Sequence, residues 1–121
     1  MEPPHILIVD DEDDFRGTLN ILLSMEGFHV SEATSGNQAI DLIDAGLRPD
    51  VLLLDYRMPG LNGGQTLDHI RRRALDVPAV LVTAASEAHH LARQHGFHAV
   101  LRKPVGPDDL LATLRKTLPP S

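Results

Sequence analysis

In this chain of 121 residues, the polar groups able to do chemistry stand at the ends of short apolar runs. Asp10 and Asp11 close the run Ile6–Val9, Asp55 closes Val51–Leu54, Thr83 closes Ala79–Val82, and Lys103 with Pro104 follows Ala99–Leu101. Carboxylates gathered in one pocket repel each other unless a cation joins them, and the repulsion grows as the effective dielectric falls below that of water. An all-oxygen set that retains some waters suits magnesium or manganese better than zinc. The lysine would offset a further negative charge, and the threonine would donate a hydroxyl hydrogen bond. A divalent cation, an ammonium and a hydroxyl around one carboxylate make a seat for a phosphoryl group, which Asp55 would accept as an acyl phosphate. Taken singly, each residue has a plainer role: Asp10 or Asp11 as a helix N-cap, Asp55 as the start of a turn, Thr83 as a satisfied strand-end hydroxyl. The chemistry rests on their meeting.

Whether they meet depends on the elements that carry them. Ile6–Val9, Val51–Leu54 and Ala79–Val82 are continuous apolar runs, the pattern of strands buried on both faces. Phe28–Ala33 alternates apolar and polar residues and reads as an edge strand with one wet face, and a short fifth strand lies around Ala99–Leu101. Between them run amphipathic stretches. The first helix spans about 13–26, with Phe15, Leu19, Leu22 and Leu23 inward and Gly27 as its left-handed stop. Ser35-x-x-Gln38 and Asn62-x-x-Gln65 have capping-box spacing for the second and third helices. Ser86 is expected to cap the fourth, which stops at Gly96, and Pro107 with Asp108 and Asp109 opens the fifth. Five βα units in succession predict an α/β fold: an open, doubly wound, five-stranded parallel sheet of order 2-1-3-4-5, a flavodoxin-like three-layer sandwich. In that order strands 1, 3, 4 and 5 are neighbours, so Asp10, Asp11, Asp55, Thr83 and Lys103 fall together at the carboxyl ends, where such sheets place their sites.

Composition narrows the classes of function. The length suits one domain, 1–121, with Pro119-Pro120-Ser121 read as the start of a linker. No cysteine is present, which excludes disulfides and thiolate metal sites and fits a cytoplasmic location. A formal net charge of −6 argues against direct binding of nucleic acid, and no apolar run approaches the length of a membrane span. Arg71-Arg72-Arg73, the one basic cluster, reads as a solvated helix face, and Glu12, Asp13 and Asp14 read as a solvated first turn favourable to the helix dipole. His89, His90, His95 and His98 lack the spacing of a zinc site.

The runs Ile6-Leu-Ile-Val-Asp-Asp-Glu12, Leu54-Asp-Tyr-Arg-Met-Pro-Gly60, Val82-Thr-Ala84 and Arg102-Lys-Pro104 together resemble the receiver domains of two-component response regulators. The resemblance covers essentially the whole chain. It implies that Asp55 is the phosphoacceptor and that Asp11 and Asp55 bind magnesium directly, with Asp10 contributing through water and the backbone carbonyl of Arg57 as a further ligand. It also implies that Lys103 pairs with the phosphoryl group, that Thr83 hydrogen-bonds to it, and that a cis peptide bond precedes Pro104. The implied partners are a sensor histidine kinase or phosphotransfer protein upstream and an output domain or protein downstream. Such a module catalyses its own phosphorylation and dephosphorylation and is not an enzyme in the ordinary sense.

The chain departs from that pattern at Val100, three before the lysine, where most receivers carry an aromatic that changes rotamer on phosphorylation. A β-branched side chain there is small and stiff, so transmission is expected through the loop after the fourth strand and through the fourth helix. Arg57 reads equally as reaching over the phosphoryl group or as pointing into solvent. Three other functions compete: a phosphorylation-independent interaction module on the same fold, which Val100 keeps open; a flavin-type cofactor binder, whose phosphate the acidic first loop would repel; and a magnesium phosphohydrolase, which would carry a second acid where this chain has Arg57.

Overall fold

A computed structural model of the chain describes residues 2–118. Strands β1 (His5–Val9), β2 (His29–Ala33), β3 (Val51–Leu54), β4 (Ala79–Thr83) and β5 (Ala99–Arg102) alternate with helices α1 (Asp13–Met25), α2 (Gly36–Asp44), α3 (Gly63–Arg72), α4 (Ala88–His95) and α5 (Pro107–Thr117). The strands form one parallel sheet in the order β2-β1-β3-β4-β5. The expected fold class is the observed one. The reading of residues 119–121 as a linker lies outside the described residues. Among the described residues, no helix is long and apolar enough to cross a membrane.

Alternation along the buried strands divides the core between the two faces of the sheet. Ile6, Ile8, Leu53, Val80 and Val82 pack with Leu19 and Leu23 of α1 and Leu110 and Leu114 of α5. Leu7, Val9, Leu52 and Leu54 point the other way, onto Ile40 and Ile43 of α2 and Leu67 and Ile70 of α3. Leu81 continues that second face under Ala88, Leu91 and Ala92 of α4. Both faces of β3 are therefore covered, which is why its sequence is unbroken Val-Leu-Leu-Leu. At the edge, β2 exposes His29 and Glu32 and half-buries Val30 and Ser31, so the expected wet face of His29 and Ser31 is exposed only at His29, and Ser31 hydrogen-bonds with His5 Nε2 at 2.7 Å.

The helix signals hold with informative exceptions. Asn62 and Gln65 form a complete reciprocal capping box at α3. At α2 only half forms: Ser35 accepts the Gln38 N–H at 3.1 Å, while the Gln38 side chain accepts from Thr34 instead. Ser86 does not cap α4. Its N-cap is Glu87, with no side-chain cap, and the Ser86 hydroxyl donates to the Glu87 carboxylate at 2.8 Å. Gly27 and Gly96 take the left-handed conformation that ends α1 and α4. The arginine cluster is only partly a solvated face. Arg71 donates to the carbonyls of Leu75 and Val77, and Arg73 pairs with Asp44 of α2 at 2.6 Å, so two of the three tie the end of α3 to its surroundings.

Candidate functional site

Register decides which residues meet at the carboxyl rim. Val9 stands opposite Leu54, so the next residues, Asp10 and Asp55, leave the sheet side by side, and the Asp55 N–H donates to the Val9 carbonyl at 3.0 Å. Leu54 stands opposite Leu81, and Thr83 opposite Arg102, which delivers Thr83 and Lys103 to the same end. The Lys103 N–H donates to the Thr83 carbonyl at 3.0 Å, and the Lys103–Pro104 bond is cis, as expected.

One carboxylate oxygen from each of Asp10, Asp11 and Asp55 forms a group whose members all lie within 4.8 Å of one another. Asp10 and Asp55 are buried and Asp11 is exposed, so the group opens to solvent on one side. Asp10 is not the N-cap of α1: that position is Glu12, whose N–H donates to Asp10 Oδ1 at 2.9 Å. Asp55 Oδ1 accepts the Tyr56 N–H at 2.8 Å. Burial pushes the Asp55 carboxyl above its ordinary value, and the charge of Asp10 adds to this; Lys103 and the Tyr56 amide pull the other way and do not prevail. An all-oxygen cluster whose members repel one another is a donor set for a hard divalent cation. The residues fit magnesium.

Lys103 is the ammonium of the cluster. Its Nζ lies 3.0 Å from Asp10 Oδ2, 3.4 Å from Asp55 Oδ2 and 2.7 Å from Glu12 Oε1, and 4.4 Å from the centroid of the Phe15 ring. Burial alone would lower its pKa, but hydrogen bonds with Glu12 and Asp10 and the charges of Asp55 and Asp10 outweigh that and raise it. Thr83 is buried, and its Oγ1 accepts the Ala85 N–H at 3.2 Å, which leaves the hydroxyl proton free to donate. A cleft of about 270 Å³ opens above these groups, lined by Asp11, Glu12, Asp55, Arg57, Thr83, Ala84, Ala85 and Lys103. Of the two orientations open to Arg57, the observed one turns the guanidinium to Glu87 Oε1, at 3.2 Å.

Residues outside the expected set also shape the site. Glu12 is not merely a solvated first-turn acid, because it holds Lys103. Arg16 is buried beneath the acidic loop, donating to the Asp10 carbonyl, Asp13 Oδ1 and Glu32 Oε1, each at 2.7 Å. A basic residue facing the same way as Leu19 and Leu23 was the available signal. Gly63 lies so close to the Asp55 carbonyl that a Cβ there would come within 2.3 Å of its oxygen. His95 packs over Gly64 with Nδ1 3.6 Å from Asp68 Oδ2, a structural seat rather than a metal site.

The model of the response regulator receiver domain family matches residues 6–115. Response regulator SaeR of Staphylococcus aureus is 33% identical over 116 residues, covering 94% of this chain and 50% of SaeR, so the chain spans about half the length of the curated relatives it matches. Response regulator protein TrrA of Thermotoga maritima, solved in complex with Mg2+-BeF, is 30% identical with a TM-score of 0.85, covering 98% of this chain and 100% of TrrA. Chemotaxis response regulator CheY4 of Vibrio cholerae superposes with a TM-score of 0.88 at 27% identity, covering 96% of this chain and 99% of CheY4. With its parallel sheet, its acidic cluster and these relatives in agreement, the chain belongs to the response regulator receiver domain family.

Proposed function

We propose that this domain is a phosphorylation-dependent switch that accepts a phosphoryl group on Asp55 in a magnesium-dependent reaction. The observation that carries the reading is the position of the Asp55 carboxylate: buried, beside Asp10 and Asp11, 3.4 Å from an ammonium and on the wall of an open cleft. An Asp55 oxygen attacks phosphorus, and as the new P–O bond forms, the bond from phosphorus to the donor breaks and the donor leaves with its electron pair. Hydrolysis returns the carboxylate and releases inorganic phosphate. Magnesium bound by Asp11, Asp55 and the Arg57 carbonyl, with Asp10 through water, would neutralise charge on the phosphoryl oxygens. Lys103 pairs with one such oxygen and Thr83 donates its hydroxyl to another. Both residues line the same cleft as Asp55, which puts a cation and a hydroxyl where charge develops on the transferring group.

As a receiver, the domain is a signalling module rather than a classical enzyme. We assign 1–121 to one receiver unit, working in the cytoplasm with a histidine kinase or phosphotransfer protein as donor. The phosphoryl group would act on an output domain or protein through the β4–α4 loop and the α4–β5–α5 face. Val100, half-buried against the α4 cluster, supports a path through that loop and helix. Incubation with acetyl phosphate and magnesium, followed by intact-protein mass spectrometry, tests the assignment. A gain of one phosphoryl group that Asp55→Asn abolishes is the expected result. No gain in wild-type protein turns the reading to an interaction module that works without phosphorylation.

A further inference from the structure

The cleft is lined by two cations held in different ways. Lys103 is bound to three carboxylates at 2.7, 3.0 and 3.4 Å, with Phe15 beside it. Arg57 is held from outside. Its residue lines the cleft, but its guanidinium reaches Glu87, which does not line the cleft and stands immediately before the first turn of α4. That contact is a single one at 3.2 Å, with the arginine side chain 70% and the glutamate side chain 46% exposed, so water screens it and it breaks at little cost. The other Glu87 oxygen is occupied by the Ser86 hydroxyl at 2.8 Å. Glu87 thus keeps a second partner when the arginine leaves.

We propose that Arg57 is a movable cation shared between Glu87 and an anion seated at Asp55, and that Glu87 is the positioning residue whose pull keeps Arg57 off that anion. The proposal rests on Asp55 being the phosphoryl site and adds a competitor for one of its cations. A multiply charged oxyanion or fluoride group offers Arg57 more acceptors than one carboxylate oxygen does, and guanidinium donors form their strongest hydrogen bonds to such groups. Occupation of the site therefore draws Arg57 inward and releases Glu87, with Ser86, at the head of α4. This gives the cleft a direct electrostatic link to that helix, separate from any change at Val100.

The test is a beryllofluoride titration in saturating magnesium at about 0.15 M salt, where charges more than about 8 Å apart are screened. Tyr56, the single tyrosine of the chain and the residue after Asp55, supplies the fluorescence signal. Glu87→Gln is expected to tighten beryllofluoride binding roughly two- to fivefold, the scale of an exposed ion pair. In an Arg57→Ala background the same substitution is expected to change it by less than about 1.5-fold, since only a coupled pair departs from additivity. Both side chains are on the surface, and circular dichroism verifies that the variants fold. An unchanged affinity in Glu87→Gln overturns the proposal, as does an equal gain with and without Arg57. Failure of the wild-type protein itself to bind beryllofluoride overturns the phosphoryl assignment instead, so the two failures are distinguishable.

Discussion

The Cα of Gly63 rests against the carbonyl of Asp55: a Cβ built there would come within 2.3 Å of the carbonyl oxygen and 3.0 Å of the Tyr56 Cα. Gly63 also donates its N–H to the Tyr56 carbonyl at 2.8 Å, so the first residue of α3 is seated on the loop that leaves Asp55. Gly63→Ala must push backbone against backbone. It is expected to lower stability by about 1–3 kcal/mol, the usual cost of overpacking, and to weaken magnesium binding because the Asp55 loop moves. Urea denaturation and a magnesium titration measure the two effects, and an alanine variant with wild-type midpoint and metal affinity would disprove the contact.

Asp55 gives a pH dependence with a definite sign. Its carboxyl is raised in the folded protein, by burial first and by Asp10 second, so ionisation costs more in the folded than in the unfolded chain. Below the ordinary aspartate range both states hold the proton and there is no penalty. As pH climbs from that range through the raised folded value, the metal-free protein loses stability. Asp55→Asn does not ionise and should escape the loss. Thermal melts in chelator from acid to neutral pH are expected to show the variant gaining on wild type, with magnesium closing the gap by stabilising wild type.

Lys103 separates cation from anion binding. Its ammonium is 3.0 Å from Asp10 and 3.4 Å from Asp55, so it stands beside the carboxylates a divalent ion would use and repels that ion. Lys103→Met should bind magnesium more tightly by on the order of 1 kcal/mol, roughly fivefold, from the removed repulsion at an effective dielectric near that of water. It should bind beryllofluoride more weakly than wild type. Calorimetry with the metal alone, then with metal and beryllofluoride, reads both; a variant weaker for each ligand would contradict the repulsion.

Arg16 is a support beneath the acidic loop. Its guanidinium joins the Asp10 carbonyl to Asp13 and Glu32 with bonds of 2.7 Å, and Glu32 belongs to β2, so it ties the loop to the sheet edge. Arg16→Ala is expected to cost about 2 kcal/mol, the scale for removing hydrogen bonds to charged groups. Arg16→Lys should recover less than half, because an ammonium cannot reproduce the planar fork. Chemical denaturation of the variants provides the comparison.

These residues show where the sequence was legible and where it was not. Unbroken apolar runs at 51–54 and 79–82 reported strands covered on both faces, because such runs record burial directly, whereas the alternation of 28–33 reported the edge position but not which residues face water, since Glu32 rather than Ser31 is exposed. Once strand order followed, Asp10, Asp55, Thr83 and Lys103 could only fall at one rim. Glu12 and Arg16 were misread or unnoticed because their partners, Lys103 and Glu32, come from other elements and leave no local trace. Ser86 carried a cap's composition, yet its hydroxyl bonds to the neighbouring glutamate. The close approach at Gly63 has no signal in the sequence, since nothing in the chain announces how near another backbone will pass.

The rim draws on positions as far apart as 12 and 103, joined through strands that are not neighbours along the chain. No local fragment brings these groups together, and contacts of such long range carry their loop-closure entropy before they repay it. Under the role proposed for Asp55, competence to be phosphorylated arrives with the last strand, whose end carries Lys103 to the rim.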